Sequence, residues 1–272
     1  MYSFESRIRY SETDANGRLS TEKLIDYFQD CSTFQSEDTG IGVERMRARG
    51  LAWIIVYWRV EIHRMPVLGE KVRIGTKPYE MKGSVGLRNF LMETTEGELL
   101  ACAASVWTLV DTQTMHPVRI PPEILTQYPL EERLDMNYDA RKIRLPELTG
   151  EALMPLTVQE YHLDTNKHMN NGQYVRIAAG FLPPEREVDV LRIEYRRQAV
   201  LGDHITPVLY TMPAPDRRFV SALPEDTEMS AAESAGVCIS LNADDGKPYA
   251  IMETHFRVKQ RDGRTRITDS DV

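Results

Sequence analysis

Cysteine is scarce, cationic charge is in deficit and no long apolar run occurs. The three cysteines, Cys31, Cys102 and Cys238, are far apart and outside any CxxC spacing. They supply neither a disulfide framework nor a zinc signature, which fits a reducing compartment, and a cytoplasmic location is expected. Lysine and arginine number 33 against 41 aspartates and glutamates, a formal charge of −8. Such a chain is a poor general binder of nucleic acid or anionic membrane, and an acidic partner would need a local basic patch. The apolar run from Leu51 to Tyr57 is far too short to cross a bilayer, so no membrane span is expected. The N-terminal MYSFESRIRY alternates polar and apolar residues without an apolar h-region, and reads as a strand, not a signal or transit peptide.

Familiar catalytic motifs are missing as well. Gly83-Ser84-Val85-Gly86 is one residue too short for a GxSxG nucleophile elbow. Gly40-Ile41-Gly42 lacks a third glycine and follows a helical pattern, which excludes a dinucleotide fingerprint. His162, Asp164 and His168 could offer two imidazoles and a carboxylate to a metal. However, Met169 stands where a calcium loop needs glycine, and His162 at a strand end reads as a partner for a backbone group. Neither metal nor cofactor is expected.

What is present is an internal repeat. Asp14-Ala15-Asn16-Gly17-Arg18 returns as Asp164-Thr165-Asn166-Lys167-His168, Glu61 to Glu70 returns as Glu194 to Asp203, and the tract from Gly97 to Trp107 returns as Gly246 to Phe256. Three blocks in one order, at changing offsets, describe two copies of a module with different loops. Each copy reads as a strand (Phe4 to Tyr10; Met154 to His162), a polar turn, a helix, and then long strands beginning with Leu51 to His63 or Val190 to Arg197. In the first helix Ser20 is the N-cap, Leu24, Phe28 and Cys31 form the apolar stripe, and Gly40 is the stop. In the second, Tyr174, Ile177, Ala178 and Phe181 form the stripe, ended by Gly180 and Pro183-Pro184. Hairpin turns fall at Glu96-Gly97 and Asp244-Asp245-Gly246. The expected class is α+β, a helix on a mostly antiparallel sheet, twice. The domains are placed at 1–127 and 151–260, with a charged linker at 128–150 and a polar tail at 261–272.

Chemistry is expected where the copies differ, because shared residues are explained by shared fold. The first copy has Arg18 where the second has His168. Asp164, Asn166 and His168 join a carboxylate, an amide and an imidazole just before a helix start, whose unpaired N–H groups favour developing negative charge. The alternative for Asp164 and Asn166 is an Asx-type turn with His168 at its edge.

With these residues in view, the sequence resembles the acyl-ACP thioesterase family over nearly its whole length, from about Phe4 to Lys259. The matching elements are Asp164-Thr165-Asn166-Lys167-His168-Met169-Asn170-Asn171, Glu194-Tyr195-Arg196-Arg197, Thr13 to Gly17, Trp107 to Asp111 and Pro117 to Pro121. The resemblance implies two tandem hotdog domains, each a long helix wrapped by an antiparallel sheet. It implies hydrolysis of fatty acyl thioesters of acyl carrier protein during fatty acid biosynthesis, with Asp164, Asn166 and His168 as the site. Plant members carry Glu-Cys where this chain has Gln198-Ala199, so no thiol stands there, and Gln198 can orient water but not act as a base. Asp164 is then the expected base, or the nucleophile of a transient anhydride. His168 polarises or protonates and Asn166 positions.

The resemblance also places the acyl chain in the first half, where Leu24, Phe28, Trp53, Ile55 and Trp107 are the candidate liners and ordinary core packing is the competing reading. Acyl carrier protein is acidic, so Arg192, Arg196 and Arg197, with the run Arg141, Lys142 and Arg144, are the candidate docking residues. Rival functions are an acyl-CoA thioesterase using the same site, a non-enzymatic acyl-thioester-binding protein and a dehydratase. Two modules in one chain can pair internally, so a homodimer is allowed but not required.

Overall fold

A computed structural model describes residues 1–212 and 236–257; the expected polar tail lies outside them. The first half runs β1 (Tyr2–Arg7), α1 (Thr21–Asp38), α2 (Val43–Ala48), β2 (Leu51–Ile62), β3 (Lys71–Lys82), β4 (Val85–Thr94), β5 (Leu99–Asp111) and the single turn α3 (Pro122–Leu125). The second half runs β6 (Glu151–Ala152), β7 (Leu156–Thr157), α4 (Asn171–Ala179), β8 (Val188–Tyr195), β9 (His204–Met212), β10 (Gly236–Asn242) and β11 (Pro248–Phe256). The main path of the sheet has the order β1-β3-β4-β5-β2-β8-β11-β10-β9-β6, with β7 pairing β9 off that path. Every pairing is antiparallel. The order 1-3-4-5-2 on one side mirrors 8-11-10-9-7 on the other. The two copies therefore share one continuous sheet, joined where Tyr57 to Glu61 of β2 pair with Glu194 to Val190 of β8.

The helices lie on one face of that sheet. Alternation along β8 explains why: Leu191 and Ile193 face the core, Tyr195 packs against it, and Arg192 and Glu194 face the other way. On α1, Leu24, Ile25, Tyr27, Phe28 and Cys31 are buried. The Phe28 ring packs against Phe90 (5.5 Å between centroids) and Trp58 (6.1 Å). One core runs through both halves, from Ile8 to Phe256. The α+β architecture, a helix wrapped by an antiparallel sheet and repeated, is the arrangement expected.

The differences are local. β1 stops at Arg7, and Tyr10–Glu12 forms a 3-10 turn closed by the Glu12 carboxylate accepting from Arg9 N–H (2.8 Å). Of the strand expected over Met154 to His162 in the second copy, only Leu156–Thr157 pairs, and Glu160–His162 forms the same turn. There His162 Nδ1 accepts from Gln159 N–H (3.0 Å), so the imidazole replaces the carboxylate as turn closer. Ser20 sits at the α1 N-cap without a side-chain cap bond, whereas Asn170 caps α4 by accepting from Gly172 N–H (2.8 Å). α4 has nine residues against eighteen in α1, and ends at Gly180.

The charged connection between the copies is a strap across the face opposite the helices. Buried Asn89 accepts there from Leu134 N–H and Tyr138 OH. Arg59 binds Glu61 and Asp139, and Glu194 accepts from Ile143 N–H (2.9 Å). Ile143 is buried against Tyr57, Cys238 and Ile251.

Candidate functional site

The five-residue turn is built alike in both copies. Asp14 Oδ1 accepts from the N–H groups of Asn16 (2.8 Å) and Arg18 (3.1 Å); Asp164 Oδ1 accepts from those of Asn166 (2.7 Å) and His168 (3.4 Å). The fourth position needs a left-handed backbone. Gly17 supplies it at φ +72°, and Lys167 adopts it at φ +61°, a conformation that costs a residue with a Cβ. The Asx turn is thus real, and it occupies one oxygen of Asp164. The other, Oδ2, makes no hydrogen bond among the described residues.

The turn delivers Asp164 and Asn166 to a cavity of about 840 Å³ lined by both halves. From the second half come Leu163, Asp164, Thr165, Asn166, Asn170 and Asn171. The first half gives an apolar wall of Trp53, Trp107, Met46, Ile41 and Leu87, and a polar wall from α1 comprising Gln29, Asp30, Ser32, Thr33 and Ser36. Asn171 Nδ2 donates to Gln29 Oε1 (3.2 Å), which fixes the turn against α1. Gly172 makes that approach possible, because a Cβ there would lie 2.4 Å from Asp26 Oδ1. At the start of α4, Gly172 N–H is taken by Asn170, while Asn171 N–H has no partner among the described residues.

The expected site residues separate here. His168 is half-buried and Gln198 exposed; neither is on the cavity lining, and their side chains make no hydrogen bonds among the described residues. Ala199 beside Gln198 is buried, accepting from Met169 N–H (2.8 Å) and donating its own N–H to Tyr174 OH (2.9 Å). Gln198 leaves the β8 alternation because the strand ends at Tyr195 and Arg196 and Arg197 both donate to Tyr249 O. Of the acyl liners, Trp53 and Trp107 face the cavity. Leu24, Phe28 and Ile55 do not: they are core residues, because their stripe packs onto the sheet.

The arginines also separate. Arg192 is turned away from the helices and holds the seam, donating to Tyr57 OH, Glu253 and Ala140 O. Its side chain is only 12% exposed, so it is not a surface for docking. Arg196 fastens the strap by donating to Ile143 O (2.6 Å) and Glu194 (2.8 Å). Arg197 is exposed, paired with Asp245 over the Tyr249 ring. Arg141, Lys142 and Arg144 are exposed on the strap.

Two lining groups escaped the sequence reading. Asp30 is a second carboxyl on the cavity, held above its usual range by burial and by the negative neighbour Asp26. Arg88 of β4 is 5% exposed. Burial pulls its guanidinium down to about 10, still charged at neutral pH. It donates to Gln35 and Thr76 and lies over the Tyr128 ring at 5.3 Å. Tyr128 in turn shares a hydrogen bond with Ser36 (2.8 Å). The α1 period held a signal for the polar wall alone: Gln29, Ser32, Thr33 and Ser36 share one face with Asp30 beside them, which reads in sequence as a solvated one, and nothing in the β4 pattern marks Arg88. Among the described residues no group of three or more histidines, cysteines or acids is arranged to hold a metal. No helix there is long and apolar enough to cross a membrane.

Two family models match the chain: the acyl-ACP thioesterase N-terminal domain over residues 1–128 and the C-terminal domain over 147–257. The chain is 26% identical over 208 residues to a chloroplastic acyl-[acyl-carrier-protein] hydrolase of Cuphea viscosissima, covering 70% of this chain and 50% of the relative. It is 24% identical over 225 residues to a chloroplastic oleoyl-acyl carrier protein thioesterase of Arabidopsis thaliana, covering 75% and 62%. The chain thus spans about half the length of the curated relatives it matches. Among solved structures, the 12:0-ACP thioesterase from Umbellularia californica superposes with TM-score 0.77 at 20% identity, over 95% of each chain. An acyl-ACP thioesterase from Bacteroides thetaiotaomicron gives 0.76 at 18%, over 94% of this chain and 97% of that one. At such identities these likenesses show the double-hotdog fold.

Proposed function

The chain belongs to the acyl-ACP thioesterase family, and on that footing we propose that it hydrolyses the thioester joining a fatty acyl chain to acyl carrier protein. The observation that carries this reading is the meeting of Asp164, with one oxygen free, and the unpartnered Asn171 N–H on the wall of a cavity roofed by the other half. Asp164 Oδ2 takes a proton from water. The water oxygen attacks the carbonyl carbon, and Asn171 N–H receives the developing oxyanion. The carbon–sulfur bond then breaks, giving a free fatty acid and the carrier thiol. Asn166 orients the water. The proton taken by Asp164 passes to the departing sulfur, while His168, on the same turn but off the cavity lining, and the exposed Gln198 stand outside the reacting atoms. A thiolate leaves easily, so modest acid–base help suffices.

No step of this mechanism calls on a cofactor. The carrier protein, being acidic, is met by Arg197 and by Lys167 and Arg47 beside the cavity, and a cytoplasmic setting accords with three buried free cysteines. Thiol release measured on matched acyl-ACP and acyl-CoA should favour the carrier protein, and the preference should shrink with added salt. Asp164→Asn keeps an acceptor for the turn while removing the base, and should lower kcat at least a hundredfold with an unchanged melting temperature. Full activity in that variant, with loss in Asp30→Asn, would move the base to Asp30.

A further inference from the structure

Arg88 is a buried cation that no carboxylate among the described residues pairs with, and it lies on the wall of the acyl cavity. Its bonds to Gln35 and Thr76 both come from Nη1. Nε and Nη2 keep their N–H groups without partners among the described residues. A guanidinium in this state is hydrated through the cavity, and a methyl group pressed against it strips that water and returns nothing. Distance along α1 sets the scale. The catalytic turn is fixed at Gln29 and Arg88 at Gln35. Six helical residues are roughly 9 Å. An extended alkyl chain advances about 1.25 Å per carbon–carbon bond, the zigzag projection of a 1.5 Å bond, and covers that distance in about seven bonds.

We infer that Arg88 is a specificity-determining residue, a polar stop that confines plain alkyl chains to medium length, about eight to ten carbons. This rests on the thioesterase reading of the site. The stop acts by hydration, not by bulk. A longer chain whose far end carries an oxygen, as hydroxyl or carboxylate, replaces the lost water by accepting from Nε and Nη2.

The experiment is a kcat/KM series on acyl-ACPs from six to eighteen carbons, together with the ω-hydroxy and ω-carboxy forms of the first rejected length. For the unmodified protein, kcat/KM should fall at least tenfold beyond about ten carbons, and an ω-oxygen should restore it. In Arg88→Met the ratio of long-chain to short-chain kcat/KM should rise at least tenfold and the ω-oxygen should lose its benefit. Sixteen- and eighteen-carbon chains hydrolysed as well as eight-carbon ones would overturn the stop. A length limit with no response to the ω-oxygen would overturn its polar nature and leave a steric wall. Both outcomes come from the unmodified protein, so a variant that fails to fold leaves the test intact. No hydrolysis at any length would instead sink the thioesterase reading, whereas turnover of short chains keeps that reading whatever befalls Arg88.

Discussion

At the scale of single residues, the two Asx turns form an internal control. Asp14→Asn and Asp164→Asn make the same chemical change in the same local geometry, yet only Asp164 reaches the cavity. The first should leave turnover and stability unaltered. Equal loss of activity in both would reduce Asp164 to a turn former. His162 offers a second residue-level test. Its Nδ1 accepts a hydrogen bond, so the folded state needs it unprotonated, and burial, followed by the nearby Arg176, lowers its pKa below the ordinary 6.5. Above that value both folded and unfolded chains hold it neutral. As pH falls below 6.5 the unfolded chain binds the proton first, and stability is lost until the lowered folded value is passed. Urea midpoints taken from pH 8 to 5 should fall through that window and flatten in His162→Gln. The same acid slope in the variant would clear His162 of the effect.

At the scale of elements, α1 shows what was legible and what was not. Its apolar stripe follows from periodicity, because burial against a sheet imposes spacing, and its stop follows from Gly40. Whether a buried aromatic touches neighbours or empty space does not follow, since both uses require an apolar side chain near the helix. Phe28 and Trp107 were indistinguishable as acyl liners for that reason, and only the packing separates them. Phe28→Ala should destabilise the fold by about 3–5 kcal/mol, as for large-to-small changes at full burial. Trp107→Ala should raise KM for the acyl substrate several-fold with a smaller loss of stability. Chemical denaturation beside kinetics reads both, and a reversed pattern would return Phe28 to the cavity. The polar stripe of α1 was hidden by the opposite ambiguity: hydroxyls facing a cavity and hydroxyls facing bulk water have the same period. The candidate turn at Asp164 was readable because a copy of it, differing at Arg18, stood in the same chain.

At the scale of the whole molecule, two of the arginines expected to form a docking surface, Arg192 and Arg196, hold the seam and strap instead. Arg192 and Arg59 share Asp139, and Arg192 also pairs with Glu253. Removing one partner of a buried pair leaves charge uncompensated, a loss of about 3–5 kcal/mol. Asp139→Ala should fall at the lower end, because Arg59 keeps Glu61 and Arg192 keeps Glu253. Denaturant midpoints should drop while turnover on a short acyl-ACP holds, since the strap lies behind the sheet. An unmoved midpoint would make the strap ornamental. The pairing of β2 with β8 reaches further. Backbone hydrogen bonds run from Tyr57–Glu194 to Glu61–Val190 through the middle of one sheet, which leaves the halves no hinge about which to swing apart. On the thioesterase reading, entry and exit at the cavity then rest on movement of its lining side chains and loops, with the two halves held together throughout.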